Sequence, residues 1–293
     1  MKNRPRGILL VLGATLCWST EGLWVRLVQA DDWQILFWSG GLMALALGVW
    51  LGIAHRLRLA RAVLDTGWPG VVAAGSLALA YSGYIFALNR TTVANTYVLL
   101  ATAPLFAALL GRIVLGERMR RRTLVAMALA FGGVVTMVSE SLGGGQLLGD
   151  LFALSTGLFF AVNIVALRSA PVRDGRPVDM MPSNAMAGLV IAIVMLVVTD
   201  PLDVRDRDLP FLMLIGLLSM SLGTWLFTRG VRHLQSAEAG LLCLTEAVLG
   251  PLLVWAVLSE MPTPRALLGA AIVLAALVYD TLPERRAPGA ARR

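Results

Sequence analysis

The sequence predicts an all-α membrane protein, with ten transmembrane helices arranged as two inverted five-helix repeats. Three observations carry that prediction. The 293-residue chain is 57% hydrophobic and only 15% charged, whereas a soluble domain carries about 25% charged residues. Apolar runs of about twenty residues, the length needed to cross a bilayer, follow one another with short loops between them. Finally, the chain is written twice. The stretch 94–117, ANTYVLLATAPLFAALLGRIVLGE, has a second copy at 237–260, AEAGLLCLTEAVLGPLLVWAVLSE. With Glu117 set on Glu260, Ala94, Leu99, Thr102, Leu109, Leu110, Val114 and Leu115 meet Ala237, Leu242, Thr245, Leu252, Leu253, Val257 and Leu258. The register continues through Arg122/Arg265, Leu124/Leu267, Ala128/Ala271 and Val135/Val278, and near the two starts Gly7 pairs with Gly149 and Arg26 with Arg168. The boundaries that follow are 1–140 for the first repeat and 141–293 for the second, which ends in a short basic tail.

Taken in order, the spans fall at roughly 7–28, 34–53, 68–88, 93–113, 122–138, 147–167, 181–199, 209–228, 238–258 and 266–282. In lipid each must satisfy its own backbone hydrogen bonds, which means helix. The start, MKNRPRGILLVLG, has the basic and apolar regions of a signal peptide, but the apolar stretch runs on to about Val28 with no small-residue cleavage pattern. A retained first helix is expected.

The arginines orient the chain. With a cytoplasmic N-terminus, the inside segments hold twenty of the 25 lysines and arginines, and the outside keeps Arg26, Arg90, Arg205, Arg207 and Arg265. This asymmetry puts both termini in the cytoplasm, in an inner (plasma) membrane. The net charge of +7 therefore reads as orientation and contact with anionic lipid, and nucleic acid is excluded as a partner. Five spans per repeat is an odd number, so the second half enters the membrane upside down. Inverted repeats place a site near the midplane between the halves, open to either side in turn, which is the architecture of a secondary transporter.

Within that architecture the residues resemble the drug/metabolite transporter superfamily, specifically its EamA branch of ten-helix exporters. The resemblance rests on Trp18, on Ala87-Leu88 leading into Ala94, on Pro104-Leu105, on the closing Gly116-Glu117, and on the echo at Ser259-Glu260. Inside the branch the chain looks most like the YddG-type aromatic amino-acid exporters. One departure stands out. Where the first repeat has Pro104 the second has Ala247, and its proline comes four residues later at Pro251.

Ionisable groups inside spans are costly and tend to face a cavity or a partner. Glu246 and Glu21 qualify as candidates for binding or proton coupling. Their alternatives are a structural carboxyl for Glu246, and a pair with Asn163 or Arg90 for Glu21. A polar and aromatic set accompanies them: Trp18, Ser19, Tyr81, Ser82, Tyr84, Asn95, Tyr97, Thr102, Phe160, Asn163, Trp225 and Thr245. Aromatic rings give an apolar wall with a polar tip, whereas Ser and Thr often bond only to their own helix. Pro104 and Pro251 are expected gating points, because proline removes an intrahelical hydrogen bond. Glu117 and Glu260 are expected to pin helix ends.

Cys17 and Cys243 fall inside apolar segments and read as reduced thiols. No metal-ligand spacing, Ser/His/Asp set, phosphate loop or dinucleotide fingerprint occurs, so no cofactor and no enzyme activity are expected. Without a nucleotide site the energy comes from gradients, with protons the candidate coupling ion. The expected cargo is an L-amino acid with an aromatic or large apolar side chain, carried by alternating access in a functional monomer. The rivals are an exporter of cationic drugs or other metabolites and a membrane-embedded enzyme acting on lipid.

Overall fold

The computed structural model describes residues 3–55, 59–91, 96, 99–139, 147–173, 175–198, 204–258 and 264–281. Apart from one two-residue hairpin (β1 Val172–Arg173, β2 Arg176–Pro177), every described element is helical. The helices are α1 Arg4–Ser19, α2 Glu21–Leu27, α3 Asp32–His55, α4 Leu59–Asp65, α5 Gly67–Arg90, α6 Ala103–Leu115, α7 Arg121–Val138 and α8 Leu147–Arg168. After the hairpin come α9 Met181–Val198, α10 Leu209–Met213, a π-helical stretch Leu214–Gly223, α11 Thr224–Val231, α12 Ser236–Cys243, α13 Thr245–Leu258 and α14 Pro264–Thr281.

Among the described residues, seven continuous helical stretches are long and apolar enough to cross a membrane, and two shorter apolar helices, Ala103–Leu115 and Leu267–Asp280, accompany them. The outer surface is built of exposed leucine, isoleucine and valine, such as Leu9, Ile53, Ile113 and Val197. That inversion of the soluble pattern fits a lipid solvent.

Helices pair along their lengths. α3 lies against α9, α7 against α14, α5 against α8, and α1 against α11. Small residues permit these approaches. A Cβ on Gly188 of α9 would stand 2.6 Å from the Gly40 carbonyl oxygen of α3, and one on Gly133 of α7 would stand 2.9 Å from the Gly269 oxygen of α14.

Among the described residues the helical pitch changes at three places, each marked by a hydroxyl side chain. The Thr20 hydroxyl donates to the Cys17 carbonyl at 2.7 Å, that of Thr102 to Leu99 at 2.5 Å, and that of Thr245 to Leu242 at 2.7 Å. Around each, backbone bonds shorten to three-residue spacing, as in Thr102 N–H to Leu99 and Leu244 N–H to Leu241. This is local 3₁₀ tightening with hydroxyl back-bonding. A fourth span loosens instead, where the Ser221 hydroxyl reaches five residues back to Gly216 at 2.6 Å within the π-helical stretch.

Candidate substrate cavity

The four irregular helices meet around one cavity of about 900 Å³, counted out to its mouth. Trp18 and Glu21 flank the first pitch change and Leu100 and Ala103 the second, while Leu244 and Glu246 flank the third. Met220 and Thr224 enter from the end of the π-helical stretch, α5 supplies Tyr81 and Tyr84, and α8 supplies Thr156 and Phe160. A pitch change rotates the residues after it about the helix axis, which brings side chains from consecutive turns onto one wall.

Six of the residues predicted from sequence meet here: Trp18, Glu21, Tyr81, Tyr84, Phe160 and Glu246. Glu21 is 4% exposed and accepts a hydrogen bond from the Tyr81 hydroxyl at 2.8 Å, so its partner is neither Asn163 nor Arg90. Glu246, in the first turn of α13, has no hydrogen-bond or ion-pair partner among the described residues. No cation lines the cavity among those residues. Its floor is aromatic. Trp18 packs edge-on to Phe160 at 5.9 Å and against the buried Phe227 at 5.2 Å, with Phe160 and Phe227 themselves 5.5 Å apart. A Cβ on Gly223 would fall 2.6 Å from the Trp18 indole nitrogen, so that glycine makes room for the ring.

The other predicted residues take different places. Ser19 is buried and donates to the Thr15 carbonyl at 2.6 Å. Thr102 and Thr245 spend their hydroxyls on their own helices. The Asn163 amide donates to the Ala73 carbonyl at 2.8 Å and ties α8 to α5. Ser82 is half-buried outside the lining. Trp225 stands edge-on to Trp50 and under Arg229, away from the cavity. Asn95 and Tyr97 lie outside the described residues.

Pro104 sits in the first turn of α6, where a missing N–H leaves no bond unmade. It starts a helix and does not kink one, because the pitch change at Thr102 comes first. Pro251 lies within α13, and its ring is outside the described side chains. Thr156, Met220, Thr224 and Cys243 line the cavity unforeseen. Thr156 and Phe160 are one turn apart on α8, a spacing that was available in the sequence. Met220 and Thr224 depend on the π-helical stretch, which leaves no such sign.

At the end that carries both described termini the cavity is backed by a charged cluster. Gly116, in the left-handed conformation at φ 66°, ends α6 and lets the Glu117 N–H bond back to the Gly111 carbonyl at 3.1 Å. The Glu117 carboxylate then accepts the Ser236 N–H at the start of α12 at 3.0 Å and pairs with Arg168 at the end of α8. Arg168 also donates to the Ser236 hydroxyl at 2.8 Å. Alongside, Arg4 pairs with Glu238 at 2.6 Å and donates to the Asp280 carbonyl at 3.2 Å. The Thr123 hydroxyl donates to the Asp280 carboxylate at 2.8 Å. Glu117 thus pins helix ends, as its place in the sequence implies. Among the described residues no group of three or more metal-ligating side chains gathers.

The sequence profile of the EamA-like transporter family matches residues 5–139 and again 147–279. The chain belongs to the EamA-like transporter family. Two relatives agree in length and type. "Uncharacterized transporter YwfM" of Bacillus subtilis (strain 168) is 27% identical, over 95% of this chain and 94% of its own. A protein of Archaeoglobus fulgidus named "Uncharacterized transporter" is 24% identical, over 92% and 93%. A crystal structure at 20% identity superposes with a TM-score of 0.78 over 95% of this chain and 97% of its own, which establishes the shared fold. This EamA-family member is a multi-pass membrane transporter of small molecules, and family and relatives alike point to transport, not catalysis.

Proposed function

We propose that the protein is a secondary exporter of L-amino acids with aromatic or large apolar side chains. The observation that carries this reading is a cavity whose polar groups are sorted by charge. Glu21 and Glu246 offer two carboxylates to an ammonium group. α6 begins at the lining residue Ala103 with no acidic side chain in its first turn, and the positive end of its dipole suits a carboxylate. Trp18, Phe160 and Tyr84 give the apolar side chain a wall.

Transport runs by alternating access between two inverted five-helix repeats, ten spans in all, with both termini in the cytoplasm and the protein in the inner membrane. Several observations support this. Helices at corresponding places in the two halves pack on each other, α3 on α9 and α7 on α14. Gly7 and Gly149, paired by the repeat, each take a close approach. A Cβ on Gly7 would meet His233 at 2.8 Å, and one on Gly149 would meet the Arg90 backbone at 2.5 Å. Arg4 beside Asp280 puts both described chain ends on one side. Bending falls at the pitch changes around Thr20, Thr102 and Leu244 and in the π-helical stretch. Protons couple through Glu246 and Glu21.

The test is counterflow in proteoliposomes preloaded with L-phenylalanine. Labelled L-phenylalanine and L-tryptophan should enter faster than in empty vesicles, and equal rates would end the substrate assignment. Two unmatched carboxylates also favour a second reading, an exporter of organic cations. Tryptamine, which keeps the amine and ring of tryptophan without its carboxylate, separates the two. It competes weakly with an amino-acid site and fully with a cation site.

A further inference from the structure

Arg229 is held in a way that the cavity and the charged cluster do not explain. It lies one turn after Trp225 on α11, so both share a face. Its guanidinium carbon stands 4.2 Å from the Trp225 ring centroid and 5.2 Å from that of Trp50, which reaches over from the far end of α3. The two rings are 6.4 Å apart and nearly perpendicular, at 82°. Arg4, Arg90, Arg168, Arg173 and Arg232 each face a carboxylate. Among the described residues Arg229 faces only rings, and its Nε is buried without a hydrogen-bond partner there.

The setting is the lipid-facing surface. Leu222, on the same stripe of the span as Trp225 and Arg229, is 43% exposed, and Ile53, one turn from Trp50, is 76% exposed. A guanidinium stacked on indole rings keeps its charge and loses its freedom, so its N–H edge is presented in a fixed plane. A fork so held matches two oxygens of a phosphate. Arg229 is also near the α11 end that the arginine distribution places toward the cytoplasm, where anionic headgroups are concentrated.

We infer that Arg229, clamped between Trp225 and Trp50, is a binding site for the phosphate of an anionic phospholipid in that leaflet. The rings set the plane of the fork and line the start of the acyl chain, while the guanidinium binds the headgroup. The site is separate from the cargo cavity, since neither Trp50 nor Arg229 lines it.

Native mass spectrometry of the purified full chain, titrated with phosphatidylglycerol or phosphatidylcholine, tests this. The parent protein should retain phosphatidylglycerol in preference to phosphatidylcholine. Arg229→Gln should weaken that retention about tenfold, the loss expected for a charge-assisted hydrogen-bonded pair. Arg229→Lys, which keeps the charge without the fork, should fall between the two. A melting curve without lipid confirms that each variant is folded. Equal retention by parent and Arg229→Gln would overturn the site, as would equal binding of the two lipids. Displacement of phosphatidylglycerol by millimolar inorganic phosphate would overturn the lipid assignment and leave a soluble-anion site in its place.

Discussion

The charged cluster at the terminal end and the central cavity both hold acids inside the bundle, under opposite rules. At the end, Glu117 is matched by Arg168 and a helix-start N–H, and Glu238 is matched by Arg4. In the cavity Glu21 has only a tyrosine hydroxyl, and Glu246 has no hydrogen-bond or ion-pair partner among the described residues. A buried charge removed from its partner is strongly destabilising, so matched acids belong to the structure. An acid left unmatched in a cavity is available for cargo or a proton. The comparison separates acids whose charge is matched inside the bundle from acids left open to the cavity.

The largest effect tests the matched side. Glu117→Ala strands Arg168, and thermal melting in detergent should show a loss of about 3–5 kcal/mol. Adding Arg168→Leu should restore part of it, because the two residues act as a unit. A single variant that melts like the parent would break the contrast. On the unmatched side, Glu246→Gln should leave stability within about 1 kcal/mol and flatten the pH profile of counterflow. An unchanged profile would remove Glu246 from coupling.

Tyr81→Phe is intermediate. It deletes the donor to Glu21 and should cost about 1 kcal/mol by melting, with a shift in transport and no collapse of the fold. The smallest effect belongs to His233, in the turn before α12. Burial, then Arg232 and Arg6, hold its pKa below the usual 6.5. The folded state therefore resists protonation. Stability is complete above pH 6.5 and declines as the pH falls through the interval down to the depressed value. His233→Gln should remove that decline from melting curves taken across this range.

Glu117 and its glycine show how much could be read directly. Gly116-Glu117 marks a helix stop in the sequence, and the chain turns there through a left-handed glycine. Trp18, Glu21 and Glu246 were legible for a related reason, since a polar or charged group within an apolar run has few places to go but a cavity. Ser19, Asn163 and Trp225 carried the same signal and went elsewhere. A hydroxyl or amide can satisfy itself on a backbone carbonyl without leaving any trace in spacing. Pro104 took a place that the sequence did not show, in the first turn of α6, because a 3₁₀ turn at Thr102 precedes it.

The amino-acid sequence by itself determined the solvent, the helical class and the twofold writing of the chain. Those follow from counts and periods, which survive in one dimension. Only the tertiary structure decided which acid is neutralised and which is left facing space, because pairing depends on where a turn of 3₁₀ or π helix rotates a side chain. Such a rotation comes from hydrogen bonds between atoms three or five residues apart, and no pattern of apolar residues records it.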